Sequence, residues 1–197
     1  EYVYECGGGR YLGAEYKKQR DLARETGDKM GQYAELAEKS WQQGDKQKAH
    51  EYSLLKTKMR EQMEFRNKQA VDCVLKPQMV LVKGRAVVGA GSSGAAGEKW
   101  QYRANKLDCH GLYVKEAEEA AEGFLREWKQ RRGELSNDLP KEVQIVLGKG
   151  EHSDNHRSKL RPAIKGWLRR NGYHFREDVV MSPRGGNVNH GAIIVPV

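Results

Sequence analysis

The sequence predicts an α+β chain: a helical hairpin followed by a unit ordered strand, helix, strand, helix, strand, strand. Three observations predict it. Apolar residues recur at helical spacing through two long, charged stretches that meet at Gly44-Asp45. Beyond about residue 105, short runs rich in valine and isoleucine alternate with amphipathic stretches. Between the two patterns lies a span rich in glycine, alanine and serine that fits neither. The 197 residues are enough for one or two small domains with a buried core.

Residues 1–13 hold Gly7-Gly8-Gly9 and no periodic pattern, so they read as a disordered leader. A helical-hairpin domain is expected over 14–79. Its first helix, about 15–43, carries Ala23, Met30, Tyr33, Ala34, Ala37 and Trp41 on one face. Gly44-Asp45 breaks the pattern. A second helix, about 46–74, carries Tyr52, Leu55, Met59, Met63 and Ala70, and the pair closes as an antiparallel hairpin. The remaining Lys, Arg, Gln and Glu form a solvated face, or a basic stripe able to follow a nucleic-acid backbone. One such pair lacks the stacked neighbours that make a repeat array of protein-binding hairpins stable.

Residues 80–103 read as a flexible linker. Within them, Val87-Val88-Gly89-Ala90-Gly91-Ser92-Ser93-Gly94 matches the dinucleotide-binding fingerprint in letters. Its context argues against such a site. Gly97 falls where the following helix should run, and the chain is too short for a second mononucleotide half.

A second domain is expected over 104–197. Its first strand spans about 105–110, and a helix over about 114–131 faces inward through Ala117, Ala121, Phe124, Leu125 and Trp128. Val143-Gln144-Ile145-Val146-Leu147 is a buried strand ended by Gly148-Lys149-Gly150. A helix over about 159–171 tolerates Pro162 in its first turn and stops at Gly172. Residues 173–178 and 192–197 supply two more strands around a loop with Pro183, Gly185 and Gly186. Trp128 and Trp167 stand at helical spacing, as core residues do.

Hydrophobic residues make up 38% and charged residues 31%, and no run approaches the length of a membrane span, so no membrane partner is expected. A formal charge of +8 favours a polyanionic partner, because phosphates release counterions to clustered Lys and Arg. Cys6, Cys73 and Cys109 are odd in number and lack metal-ligand spacing. They predict no disulfide framework and a reducing compartment, cytoplasmic or nuclear. The chain begins at Glu1 rather than methionine, which leaves an upstream segment open.

The chemistry gathers around Leu107-Asp108-Cys109-His110-Gly111-Leu112. In a strand, a period of two sets Asp108 and His110 on one face, where a carboxylate can fix an imidazole's tautomer and stabilise its charged form. A strand–helix–strand crossover makes the first two strands parallel, so their carboxyl ends face the same way. That brings Asp108 and His110 toward Gly148-Lys149-Gly150, whose backbone N–H groups can meet a phosphate. His152, Ser153, Arg157, Lys159 and Arg161 follow. Taken singly, each has a plainer role: a strand-end Asp caps a turn, and glycines permit one. Together they compose a phosphodiester site.

The run from Leu107 to Ala117 resembles the first motif of the Smr (small MutS-related) domain, written LDLHGL, with Cys109 where leucine is usual. Leu147-Gly148-Lys149-Gly150-Glu151-His152-Ser153, followed by Lys159-Leu160-Arg161-Pro162, resembles its second, with Leu147 where threonine is often found. The hairpin is similar to the helical domain that often precedes Smr in eukaryotic proteins. The resemblance implies a βαβαββ two-layer sandwich, two helices on a four-stranded mixed sheet. It also implies binding to RNA or DNA and, in several members, endonuclease activity. Relatives that cut messenger RNA on stalled ribosomes make the ribosome a candidate partner.

The expected activity is endonucleolytic cleavage, of RNA before structured DNA; the alternative is a non-catalytic nucleic-acid adaptor. His110 is the expected base and Asp108 its orienting partner, while Lys159 and Arg161 stabilise the transition state. Gly148, Lys149, Gly150, His152, Ser153 and Arg157 are expected to bind the nucleic acid. No cofactor is required. With one motif carboxylate a two-metal site is not expected, and a divalent metal, if used, would fall to Asp108.

Overall fold

The structure is a computed structural model that describes residues 12–83, 98–135, 139–147, 158–181 and 187–197. The chain divides between Cys73 and Val74 into two compact units.

The first unit is the helical hairpin. Helix α1 (Ala14–Gln42) is followed by α2 (Lys46–Leu75), whose last two residues fall in the second unit. Cross-helix contacts run in antiparallel order. The Arg20 guanidinium donates to Asn67 Oδ1 at 2.7 Å, and the Tyr33 and Tyr52 rings stack with centroids 6.4 Å apart. Ala23, Ala49 and Ala70 are buried, but so are Gln19, Arg20 and Ser40. The seam is therefore partly polar, which apolar periodicity alone does not reveal. Trp41 departs from expectation and is 64% exposed. It sits in the last turn of α1, where the reversing chain supplies the Lys46 ammonium, 5.9 Å from its ring, in place of an apolar neighbour. Gly44 takes a left-handed φ of 79° at this reversal, and the Asp45 N–H donates to Ser40 O at 2.9 Å.

The second unit opens with a 3₁₀ turn (Lys76–Gln78) and two strands, β1 (Met79–Lys83) and β2 (Glu98–Tyr102). They pair antiparallel, Met79 opposite Tyr102 and Lys83 opposite Glu98. This corrects the expected linker over 80–103, both ends of which are strand. The glycine content between them masks the strand signal of the β-branched and aromatic residues on either side. The span 84–97, with the fingerprint-like glycines, lies outside the described residues, as do Cys6 and all but the end of the expected leader.

Four strands build the main sheet: β3 (Lys106–Asp108), β4 (Glu142–Val146), β5 (Arg176–Met181) and β6 (Asn187–Pro196), in the order β3-β4-β6-β5. β3 runs parallel to β4, and the other pairings are antiparallel, which gives the mixed sheet. Helix α3 (Val114–Leu135) connects the parallel pair, and α4 (Leu160–Arg170) packs beside it. Leu107, Phe124, Leu125, Val143, Ile145, Ile164, Leu168, Ile193 and Val195 form the core, each at most 1% exposed. Trp128 joins them as a core residue, while Trp167 is only half-buried and stacks on Tyr173. β5 begins three residues later than the pattern suggested. Tyr173 leaves α4 instead, its N–H donating to Leu168 O at 2.9 Å. Among the described residues no helix is long and apolar enough to cross a membrane.

Candidate active site

β3 ends at Asp108, two residues earlier than expected, so strand periodicity is not what unites Asp108 with His110. Cys109 still donates its N–H to Val146 O at 2.8 Å, and the chain then turns through His110 and Gly111. Gly111 has φ 79°, a conformation that costs other residues strain. Inside this turn one carboxylate oxygen of Asp108 accepts two bonds from the same residue. The His110 backbone N–H donates at 3.0 Å, and the imidazole Nδ1 makes a short bond to the same Oδ1. The carboxylate side chain is 5% exposed and the imidazole 41%, so a buried anion holds a half-open ring.

That asymmetry has a chemical consequence. A carboxylate can only accept, so Nδ1 carries the proton of the neutral ring and Nε2 keeps its lone pair. The base nitrogen is therefore the one opposite the buried partner. Cys109, between them, is fully buried. Burial, and then the neighbouring Asp108 charge, push its thiol well above the usual range, so it packs as a small apolar residue.

Residues 108 and 146 are register partners in the parallel pair, so the chain leaves β4 beside the Asp108 turn. Leu147 is buried there and donates its N–H to Gly191 O at 2.7 Å. Gly148, Lys149, Gly150, His152, Ser153 and Arg157, expected to follow at this edge, lie outside the described residues. Of the expected cations, Lys159 is exposed at the start of α4. Arg161, two residues on, lies 3.5 Å from Glu177 Oε2, and Lys165 bonds the other oxygen of that carboxylate. Ser158 Oγ accepts the Arg161 N–H at 3.3 Å and helps set the helix start. Among the described residues, no three His, Cys, Asp or Glu side chains cluster as a metal site.

Two contributors escaped the sequence reading. Glu177 engages Arg161 and Lys165 from β5, and no spacing links it to α4. Gln78 contacts Asp108 from thirty residues upstream: its Oε1 accepts the Asp108 N–H at 2.7 Å, and its Nε2 donates to Asp108 O at 2.8 Å. A glutamine after Pro77 carries no signal for such a role.

Residues 107–196 match the Smr domain, and residues 16–78 match a domain of unknown function, DUF1771. The chain is 31% identical over 165 residues to the Smr domain-containing protein C11H11.03c of Schizosaccharomyces pombe, covering 84% of this chain and 67% of the relative. It is also 31% identical over 158 residues to Endonuclease NBR9 of Saccharomyces cerevisiae, covering 80% of this chain and 55% of that protein. It thus spans about two thirds of the one and just over half of the other. Among solved structures, the SMR domain of NEDD4-binding protein 2 is 29% identical, with 54% of this chain and 92% of that one covered and a TM-score of 0.33. The B3BP Smr domain is 26% identical, covering 47% and 77%, with a TM-score of 0.32.

Proposed function

Because the chain belongs to the Smr domain-containing proteins, we propose that it is a nucleic-acid-binding endonuclease that cuts RNA in preference to structured DNA. The observation that carries this reading is the buried Asp108 carboxylate fixing His110 through Nδ1 at the carboxyl edge of a parallel strand pair. A relative named as an endonuclease supports cleavage, and the net charge of +8 supports a phosphate-bearing substrate.

In the proposed reaction, His110 Nε2 takes the proton of a ribose 2′-hydroxyl. The 2′-oxygen attacks phosphorus as the P–O5′ bond breaks and the departing 5′-oxygen takes a proton from solvent, leaving a 2′,3′-cyclic phosphate and a 5′-hydroxyl end; the imidazolium then returns its proton to solvent. Asp108 stabilises the imidazolium as it forms. Lys159 and Arg161, with the backbone of Gly148–Gly150, offset the charge that grows on the phosphorane oxygens. On DNA the same base would activate water.

The test uses labelled RNA and DNA with and without chelator, followed by chemical analysis of product ends. RNA should be cut to 2′,3′-cyclic phosphates, and Asp108→Ala and His110→Ala should each lower kcat by about 100-fold. Full cleavage by both variants would sink the assignment. A specific contact favours a second reading. The bond from the His110 N–H to Asp108 is also how an aspartate caps a turn in a protein with no chemistry to perform. A non-catalytic adaptor would bind salt-sensitively, yield no products and keep its affinity after His110→Ala.

A further inference from the structure

We propose that Gln78 is a positioning residue for the Asp108–His110 pair, an inference that rests on the endonuclease reading above. In a parallel pair, alternate residues of a strand bond to the neighbour and the rest face away. Asn105 O accepts from the Gln144 N–H at 2.8 Å, and the Cys109 N–H donates to Val146 O at 2.8 Å. Residues 105 and 109 therefore face β4, and the peptide groups of Asp108 face the open side, because β3 is the sheet's edge.

Gln78 fills that side. Its amide has the donor and acceptor of a peptide group, and it takes both peptide groups of Asp108 as a neighbouring strand would. The same Nε2 also donates to Val74 O at 2.9 Å, which anchors the amide to the last turn of α2. Asp108 is thus held on both flanks: Cys109 is tied to β4, and the Asp108 backbone is tied to Gln78. The Asp108 carboxylate in turn sets the His110 ring. Since proton transfer is sensitive to small misplacements, a slack Asp108 backbone should be felt at His110 Nε2. Gln78 acts on His110 only through Asp108, whose backbone it bonds.

The test combines kinetics with the ring signature of His110, read by long-range ¹H–¹⁵N correlation above the pH at which the ring is charged. The wild type should show one neutral tautomer, protonated at Nδ1. In Gln78→Met the two tautomers should mix, and kcat should fall roughly tenfold while KM changes less than about twofold. Gln78→Glu keeps the acceptor for the Asp108 N–H, loses both donated bonds, and should fall between the two. It carries the comparison should Gln78→Met fail to fold. A folded variant with the wild-type tautomer and wild-type kcat overturns the proposal, because Gln78 would then only close a strand edge. If the wild type cuts neither RNA nor DNA, the endonuclease reading fails, and the tautomer comparison still decides whether Gln78 positions His110.

Discussion

Cys109 sits between the two residues of the proposed pair, and its burial makes a pH prediction possible at the scale of single side chains. The folded protein holds the thiol protonated, whereas the unfolded chain ionises near its ordinary value of 9.0. Tyr102 behaves alike, pushed up to about 12 from 10.0, chiefly by burial. Both groups are raised, so their contribution is whole below the unfolded values and is lost as pH rises above them. Unfolding free energy should therefore fall between about pH 8 and about pH 11, and fall less steeply in Cys109→Ala or Tyr102→Phe. Denaturant titrations at the two pH values check this, and equal slopes in all three proteins would refute it. At this scale the sequence was informative about identity and silent about geometry. Asp108 and His110 could be named from their motif, yet they meet through a turn rather than along a strand. Gln78 could not be named at all, because a long-range bond to a backbone leaves no trace in local pattern.

Glycines at the level of the helices offer a contrast in sign. Gly31 lies within α1, with nothing within 4 Å of where a Cβ would stand. Gly31→Ala should stabilise the hairpin by about 0.5–1 kcal/mol through helix propensity. Gly44 has equally open surroundings but a φ of 79°, so Gly44→Ala should destabilise by about 1 kcal/mol from backbone strain alone. Thermal melts of the two variants should shift in opposite directions, and shifts of the same sign would contradict the account. Elements with a strong period were legible. Both hairpin helices and α3 start and stop near where Gly44, Gly111 and their apolar faces place them. β1 and β2 were not, since five-residue strands beside a glycine-rich span carry less signal than its composition. The buried polar seam of α1 and α2 was hidden for a related reason: Gln19 and Arg20 are exposed residues by default, and only a partner such as Asn67 makes their burial tolerable.

For the whole molecule, the second unit begins earlier than its motifs do. Tyr102 is buried edge-on against Phe124, with centroids 4.8 Å apart, and its backbone is gripped from α3. Glu127 accepts its N–H at 3.0 Å, and Arg131 donates to its carbonyl at 3.1 Å. A fragment starting at Val74 keeps these contacts, and one starting at Ala104 loses them together with Gln78. The shorter fragment should melt at least about 5 °C lower, from the loss of a buried aromatic and its bonds. Equal melting temperatures would show that β1 and β2 are accessory to the fold.

The amide on β3 also bears on self-association. An open sheet can grow by accepting a foreign strand at either end, and exposed peptide groups are the template for it. Here one end is a strand of three residues whose outward-facing Asp108 groups are already taken by a side chain. A strand joining at β3, from another copy or from a peptide, would first have to displace the Gln78 amide from both of these groups.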